Sequence, residues 1–519
     1  MLPVMRKNQI PIIDLFAGPG GLGEGFTSVV DKNNERYFRI ALSIEKDEYA
    51  HNTLTLRSFL RQFPFNKFPS EYYQFVQGKI SVEELYSLYP NEASCAKNEA
   101  WKFTLGEPQT HDIIDKRIRK VLKGEKNFVL IGGPPCQAYS LVGRARRQQI
   151  NLDKEDERVY LYREYYRILA EHRPVVFIME NVKGILSSKV ENDNLFYQII
   201  NDLKDPIRAY KKLQGQEKIY KSTINYKIYS LVKEPSYKDL FNLEPFFKPQ
   251  DFIIKTEEYG IPQTRHRVIL LGIRSDSDIK PQLLQSAKNK IPVENVLNGL
   301  PQLRSGLSKI KDSASEWRNC LLEIKTSSFK SEIEKDVWSE ITNIVNDLRL
   351  PESDRGSSFV NGKINSDYLP DWFLDNKIKG AINHETRSHI KEDLYRYLFA
   401  ACFAKIKNRS PKLFDFPNDI LPNHFNARGT KFIDRFRVQL YGEPSKTITS
   451  HISKDGHYFI HPDPAQSRSL TVREAARIQT FPDNYFFCGP RTAQFHQVGN
   501  AVPPYLAKQI GKVVKDILF

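Results

Sequence analysis

The sequence predicts an α/β protein, a doubly wound sheet with a second, smaller domain. Short apolar runs recur along the first half of the chain, at residues 10–16, 38–44, 128–131, 175–179 and 268–273. Amphipathic stretches of helix length separate some of these runs, as at residues 160–170. Such alternation is typical of buried parallel strands joined by right-handed crossovers. From about residue 275 to 464 the alternation stops, which indicates the second domain.

The domain boundaries are predicted from the places where this alternation stops and resumes. We expect a first domain over residues 1–274, a second over 275–464, and closing helices over 465–519 that return to the first. Two polar stretches rich in Tyr and Lys, 56–101 and 187–249, are far longer than ordinary connections of about 2–6 residues, which indicates insertions. Thr471 and Glu474 form a capping box that starts a helix, and Pro503-Pro504 opens the last helix.

Charge and composition narrow the class of protein. Lys and Arg outnumber Asp and Glu by 77 to 62, which gives a net charge of +15. This balance favours an anionic partner, with nucleic acid as the first candidate and a solvated basic surface as the alternative. A hydrophobic content of 40% with 12% aromatic residues is enough for a folded core and excludes wholesale disorder.

Cysteine usage and hydropathy point to an intracellular protein. The five cysteines contain no CxxC pair, and their odd number suits a reducing compartment. The chain has no run of about 18 apolar residues, and its first residues lack a signal-like stretch, so we expect no membrane partner. We also expect no metal, because the histidines at 384, 389, 424, 451, 457 and 461 lack cysteine partners and tight ligand spacing.

A glycine-rich turn follows the first predicted strand. Gly18, Gly20 and Gly21 allow a tight turn in which the backbone approaches a ligand. The spacing differs from GxGxxG, and no Lys-Ser/Thr pair is present to hold phosphate. The turn therefore favours a phosphate-free adenosyl cofactor, with a simple glycine-rich turn as the alternative.

Two acids are candidates for holding such a cofactor. Glu45 ends the second strand, where a carboxylate accepts hydrogen bonds from both ribose hydroxyls. Asp112 lies at a later turn, where it would accept a bond from an exocyclic amino group such as that of adenine. Either acid taken alone is also compatible with an ordinary strand-end or capping role.

A thiol, an acid and two arginines are predicted at the edge of the sheet. Cys136 follows a buried strand in the segment GGPPCQAYS, where two prolines fix the backbone beside it. The next strand delivers Glu180 to the same edge, where burial can keep a carboxyl protonated as a donor. Arg265 and Arg267 precede another strand and share one face if the segment is extended, with a solvated basic edge as the alternative.

These groups match the requirements of methylation at carbon 5 of cytosine. Carbon 5 becomes nucleophilic only after attack on carbon 6, which a thiolate performs while an acid neutralises charge at ring nitrogen 3. The resulting enamine accepts the methyl group. Loss of the carbon 5 proton and elimination of the sulfur restore the ring. A free thiol has a pKa of about 8.5, so a base or local positive charge must assist Cys136.

On these residues the sequence resembles the DNA cytosine-5 methyltransferase family, particularly its bacterial modification enzymes, in the family's order along nearly the whole chain. DLFAGPGG is similar to the cofactor loop, SIEKDEYA to the ribose-binding strand end, GGPPCQAYS to the nucleophile segment and ENV to the acid segment. QTRHRV resembles the basic motif beside the target base. RSLTVREAARIQTFPD and QFHQVGNAVPPYL resemble the two closing motifs.

The resemblance implies a role for each matching position. The implied catalytic residues are Cys136 as nucleophile, Glu180 as the acid on cytosine, and Arg265 and Arg267 beside the base, with Arg267 orienting it. At S-adenosylmethionine the resemblance implies Phe16 on the adenine, Glu45 on the ribose, Asp112 on the adenine amino group and Asn500 near the methionine end, together with Gly18, Gly20, Gly21, Ile113 and Pro134. The residues expected at DNA are Ser140, Arg144, Arg146 and Arg147; for the arginines a solvated loop is the alternative.

The resemblance further implies a Rossmann-like, S-adenosylmethionine-dependent methyltransferase sheet with a DNA target recognition domain at residues 275–464. The implied partner is double-stranded DNA with a flipped base, and a cognate restriction endonuclease would act separately. A monomer in the bacterial cytoplasm, associated with the nucleoid, is expected. In the family the residue after Glu45 is often aromatic; Lys46 stands here, which leaves one face of the adenine site without an assigned residue.

Two alternative functions remain open at this point. An RNA cytosine-5 methyltransferase of similar fold would read a folded RNA through its shape and 2′-hydroxyls. A non-catalytic DNA-binding subunit would keep the fold without the activity, although the intact Cys136, Glu180, Arg265 and Arg267 argue against it. Methylation of an exocyclic amine is disfavoured, because the nearest motif, Val502-Pro-Pro-Tyr505, opens the last helix.

Overall fold

The computed structural model describes residues 9–135, 161–190, 193–215, 224–236, 245–277, 279–422 and 433–519. Its strands are β1 (Ile10–Leu15), β2 (Phe38–Glu45), β3 (Ala100–Lys102), β4 (Val129–Gly132), β5 (Val176–Val182), β6 (Lys189–Val190), β7 (Asp193–Asn194), β8 (Tyr226–Tyr229), β9 (Ile253–Lys255), β10 (Gln263–Thr264), β11 (His266–Arg274), β12 (Gly306–Leu307), β13 (Gly356–Asn361), β14 (Gly380–Glu385), β15 (Ser388–His389) and β16 (Ser445–Lys446).

The α-helices are α1 (Gly21–Thr27), α2 (Glu48–Arg61), α3 (Ser70–Val76), α4 (Val82–Leu88), α5 (Pro90–Glu99), α6 (His111–Leu122), α7 (Leu161–His172), α8 (Leu195–Lys204), α9 (Pro206–Leu213), α10 (Glu294–Leu297), α11 (Ala314–Leu322), α12 (Lys335–Asn346), α13 (Pro370–Phe373), α14 (Lys391–Lys407), α15 (Val472–Ile478), α16 (Arg491–Asn500) and α17 (Pro504–Leu518). Among the helices of these described residues, none combines the length and the apolar character needed to cross a bilayer.

A central eight-stranded sheet organises the first part of the chain. Its order is β3-β2-β1-β4-β5-β11-β8, and β9 also pairs with β11. The five strands from β3 to β5 run parallel, and helices α1, α6, α7, α8 and α17 bury their apolar residues against the sheet. The predicted doubly wound α/β fold is confirmed.

One strand of this sheet runs against the predicted direction. The expectation of parallel strands is wrong for β11, which pairs antiparallel with β5, β8 and β9. Because two antiparallel strands run in opposite directions, β11 begins beside the carboxyl end of β5. This reversal brings the segment before β11 next to Glu180 at the end of β5.

The stretch 187–249, predicted to be an insertion, contributes to the main sheet. Its strand β8 pairs with β11, where Leu271 is opposite Tyr229, and Tyr229 is buried in the core of the sheet. The strand is part of the main sheet, and the insertion stays a prediction. The four residues of β8 are too few to stand out from the polar sequence around them.

The stretch 56–101 folds into the end of α2 and the three helices α3 to α5, followed by the edge strand β3. These helices share a hydrophobic core with the β13–β14 hairpin: Tyr72 and Leu85 are in one buried cluster with Ile378 and Ile382. Tyr73 Oη also donates to Asp375 Oδ2 at 3.0 Å. The first stretch thus connects the sheet to the region predicted to recognise DNA.

Residues 275–464 contain a largely helical core of their own, built from α11, α12 and α14. In the closing segment the predicted capping box and apolar stripe are confirmed, while α15 and α16 share a buried cluster with residues of the 275–464 stretch, such as Val296 and Ile448. Thr471 and Glu474 form the capping box of α15, and the stripe on α17 that includes Leu506 and Ile510 is buried against the sheet.

Two of the histidines considered as metal ligands, His384 and His461, are buried among polar groups, and His424 lies outside the described residues. His384 contacts Thr471 Oγ1 and the Pro301 carbonyl at 2.9 Å each, and His461 lies 3.6 Å from Glu474. Burial lowers the pKa of His384 to about 4. Both ring nitrogens of His384 therefore have partners within the protein.

Candidate active site

The glycine-rich turn after β1 is shaped by left-handed backbone and by Glu45. Phe16 has φ of 55°, and Gly18 and Gly20 have φ of 58° and 93°. The Gly18 amide donates to Glu45 Oε2 at 2.8 Å, which joins the turn to the end of β2. The turn and the predicted ribose-binding acid therefore form one unit.

The two sides of this turn differ in how tightly they are packed. A Cβ added to Gly18 would meet no atom within 4 Å, so this face of the turn is open. By contrast, a Cβ on Gly21 would collide with the Val502 carbonyl, and Tyr485 Oη donates to the Pro19 carbonyl. The closing segment thus supports the turn from one side and leaves space for a ligand on the other.

Glu45 keeps the capacity to bind a ligand. Its Oε1 accepts from the Asp47 amide at 2.7 Å and its Oε2 from Gly18, so each oxygen retains a lone pair for a further donor. These two remaining acceptor positions fit the two ribose hydroxyls of S-adenosylmethionine as donors. Asp112 and Ile113 are exposed in the first turn of α6, so Asp112 lies on a helix rather than at the turn the sequence suggested.

An aromatic pair beside Glu45 was missed by sequence reasoning. Trp101 on β3 and Phe103 stack with ring centroids 4.0 Å apart, and the Phe103 amide donates to the Glu45 carbonyl at 3.1 Å. Lys46, whose place is often aromatic in the family, is exposed. The only sequence signal was the pattern Trp-Lys-Phe, which is typical of an edge strand with two residues on one face.

Asp14 lies beneath the turn in an unusual environment. It is 1% exposed, and among the described residues neither carboxylate oxygen has a hydrogen-bond partner. Burial raises the pKa of Asp14 to about 8, against the opposing effect of Arg61. The folded chain therefore holds this carboxyl in its neutral form over much of the physiological range.

The acid and one arginine predicted at the opposite side of the site form an ion pair. Glu180 Oε1 lies 2.9 Å from Arg267 Nε, with only 14% and 15% of the two side chains exposed. A Cβ on Gly133 would be 2.9 Å from Glu180 Oε2, so the carboxylate lies close to Gly133 in the segment after β4. Asn181 Nδ2 donates to the Pro134 carbonyl at 3.4 Å and ties the two strand ends together.

Arg265 is a second guanidinium in the same region. It is 2% exposed, and its Nη1 donates to the Ile448 carbonyl at 2.7 Å, while Nε lacks a partner among the described residues. Burial, reinforced by the charge of Arg267, lowers the pKa of Arg265 well below its ordinary value. Arg265 and Arg267 thus place two guanidinium groups, together with one carboxylate, in this part of the site.

The remaining predicted positions divide into two groups. Asn500 is exposed at the end of α16, next to the residues 501–502 that pack on Gly21. Pro134 is buried in the segment after β4. Outside the described residues lie Cys136, Ser140, Arg144, Arg146 and Arg147, for which the sequence expectations stand as predictions.

Comparison with known proteins gives a consistent family match. The family model described as C-5 cytosine-specific DNA methylase matches residues 91–206 and 247–516. The chain is 32% identical to the Type II methyltransferase M.Bpa9945I of Bacillus paralicheniformis, over 98% of this chain and 99% of that protein. It is 25% identical to the Type II methyltransferase M.DdeI of Desulfomicrobium norvegicum, over 96% and 87%. It is 27% identical to the DNA (cytosine-5-)-methyltransferase M.ApeKI of Aeropyrum pernix, over 76% and 83%.

Proposed function

Because the chain belongs to the C-5 cytosine-specific DNA methylase family, we propose that it transfers a methyl group from S-adenosylmethionine to carbon 5 of a flipped cytosine in duplex DNA. The nucleophile in this proposal is Cys136. The family match favours this function over an RNA methyltransferase and over a non-catalytic subunit.

The observation that carries the proposal is the position of Glu180. Its carboxylate lies beside Gly133, three residues before Cys136 in the sequence, and is paired with Arg267. A base held beside this segment would meet an acidic group and a guanidinium at its polar edge, where cytosine presents nitrogen 3 and oxygen 2. Both groups are fixed before the base arrives, which is the condition for efficient electrostatic catalysis.

Each residue has a defined task in the proposed reaction. The Cys136 thiolate adds to carbon 6, while Glu180, after taking a proton from solvent, donates it at nitrogen 3 and Arg267 orients the ring. The addition makes carbon 5 an enamine carbon, which takes the methyl group from the sulfonium, whose sulfur leaves as a thioether. A base then removes the carbon 5 proton, the C6–S bond breaks to return the thiolate, and the proton at nitrogen 3 goes back to Glu180.

S-adenosylmethionine supplies the electrophilic methyl group. In the proposal Glu45 holds the ribose, Phe16 packs on the adenine, and the open face of Gly18 leaves room for the cofactor. Asp112 binds the adenine amino group and Asn500 lies near the methionine end. We add Phe103 as the residue that covers the adenine face left unassigned by Lys46, because it stands directly beside Glu45.

The biological setting is proposed from the relatives. Two of them are named Type II methyltransferases, so we propose that the chain modifies DNA in the bacterial cytoplasm as part of a restriction–modification system with a separate endonuclease. Residues 275–464 would read the sequence, and Arg144, Arg146 and Arg147 would contact phosphates.

Duplex DNA with 5-fluorocytosine at the target tests the nucleophile. Fluorine at carbon 5 cannot leave as a proton does, so the reaction should stop at a stable protein–DNA adduct that forms only with S-adenosylmethionine present. Because the recognised sequence is unknown, the site is first located by base-resolution mapping of DNA from a methylation-free host that expresses the chain. Peptide mapping should place the adduct on Cys136.

Two variants complete this test. Cys136→Ala should bind the duplex without forming the adduct, since opening the duplex depends on the pocket more than on the thiol. Cys95→Ala, at a cysteine on α5, should form the adduct like the parent chain. Adduct formation by Cys136→Ala at the parental rate contradicts the assignment.

A further inference from the structure

Two buried glutamines meet between two parts of the site. We call the segment that carries Arg265 and Arg267 the base side and the segment around Asn500 the cofactor side. Gln263 and Gln479 are both 0% exposed, and Gln263 Nε2 donates to Gln479 Oε1 at 2.9 Å. Gln263 lies two residues before Arg265, and Gln479 ends α15. The proposed chemistry assigns a task to neither side chain, yet each occupies a position where an unmade hydrogen bond would be costly.

On the cofactor side, Gln479 holds the backbone around Asn500. Its Nε2 donates to the Val498 carbonyl at 2.7 Å and to the Ala501 carbonyl at 3.3 Å. Both amide hydrogens of Gln479 are thereby used, and its oxygen is used by Gln263. The side chain fixes the end of α16 from which Asn500 projects and after which Val502 packs on Gly21.

On the base side, Gln263 and Arg265 hold the same residue. Gln263 Oε1 accepts from the Ile448 amide at 2.6 Å, and Arg265 Nη1 donates to the Ile448 carbonyl at 2.7 Å. Thr447 Oγ1 adds a bond to the Thr264 carbonyl at 2.6 Å. We call residues 445–453, which begin with β16 paired to β10, the strap.

The strap also reaches the cofactor side by a second route. A Cβ on Gly499 would collide with the backbone of Thr449 and Ser450, so the strap lies against α16 one residue before Asn500. The segment that carries the arginines and the segment that carries Asn500 are therefore connected twice, through the glutamine pair and through the strap.

We propose that Gln263 and Gln479 are positioning residues that hold the base-orienting arginines and the cofactor-binding segment in one fixed relation. Loss of the Gln263 amide should therefore weaken S-adenosylmethionine binding, and loss of the Gln479 amide should weaken DNA binding. The inference rests on the proposed function. Hydrogen-bonded amides in a dry interior favour one arrangement, and loss of one amide frees the groups on both sides.

The test exchanges each amide for a side chain of similar length. Gln263→Met, on the base side, should raise the dissociation constant of S-adenosylmethionine roughly tenfold in calorimetry. Gln479→Met, on the cofactor side, should weaken binding of an unmethylated plasmid fragment by a similar factor at fixed salt. The double variant should be no worse than the more affected single variant, because either change already breaks the connection.

Gln466→Met is the matched control. Gln466 is also buried, at 5% exposure, and its oxygen accepts from the Leu303 amide at 3.0 Å, away from the pair. It should lower the thermal midpoint and leave both dissociation constants at the parental values. Cross-effects of equal size in this control would show that general loosening, and not the pair, is responsible.

Effects confined to the near side overturn the proposal: weaker DNA binding alone for Gln263→Met and weaker cofactor binding alone for Gln479→Met. Additive losses in the double variant also overturn it. If one variant fails to fold, the other still reports a cross-effect. Absence of methyl transfer by the parent chain would instead contradict the proposed function, while the two dissociation constants would still decide the fate of the glutamine pair.

Discussion

Replacement of Asp14 by Asn should stabilise the protein increasingly as the pH rises. Burial raises the pKa of Asp14 from its ordinary 3.8 to about 8, so between these values the folded chain holds a proton that the unfolded chain has lost. The free energy of unfolding of the parent therefore falls with rising pH across this window. At about 1.36 kcal/mol per pH unit, Asp14→Asn should gain roughly 4 kcal/mol over the parent between pH 5 and pH 8.

The measurement is urea unfolding of both chains at several pH values, with extrapolation to zero denaturant. Other groups titrate in the same range, but they cancel when the parent is subtracted from the variant. Asp371→Asn, at an exposed aspartate on α13, controls for the change in net charge and should give a difference that is flat with pH. A flat difference for Asp14→Asn as well would refute the argument that burial keeps this carboxyl neutral.

Three further predictions concern stability, the cofactor and the chemistry. Because burial lowers the pKa of His384 to about 4, its contribution to stability is lost as pH falls below 6.5, and His384→Gln should reduce the loss between pH 7 and pH 5 by about 2 kcal/mol in urea unfolding. Glu45→Ala and Asp112→Ala should each weaken S-adenosylmethionine binding by about 1.5–3 kcal/mol in calorimetry, and unchanged affinity in both would rule out the proposed cofactor site. Glu180→Gln should slow methyl transfer by roughly 10²–10⁴-fold, and a parental rate would remove the acid from the mechanism.

The local sequence was enough to predict features whose residues are close together in the chain or lie at the ends of neighbouring strands. The turn around Gly18 follows its strand directly, and Glu45 ends the next strand, so the order of parallel strands alone brings them together. The capping box of Thr471 and Glu474 likewise needs only residues three apart in sequence.

Features that depend on distant partners could not be predicted in this way. In the sequence Asp14 has the pattern of an ordinary acid in a strand, and its pKa is raised chiefly by burial in the folded chain. The position of the Trp101–Phe103 pair beside Glu45 depends on the pairing of β3 with β2, and the Gln263–Gln479 hydrogen bond depends on how separate segments pack. The direction of β11 was missed because an apolar run has the same pattern in parallel and antiparallel strands.

The core shared by α3 to α5 and the β13–β14 hairpin bears on how such enzymes can exchange specificity. Ile378 and Ile382 are buried against Tyr72 and Leu85, so transplanting residues 275–464 alone would join two halves of a core shaped for other partners. A recombination event that carried residues 56–96 with them would keep both halves matched. Under the proposed role of residues 275–464 in DNA recognition, the segments that must change together are separate in the gene, and new specificities should arise more readily by substitution within these residues than by exchange of the whole stretch.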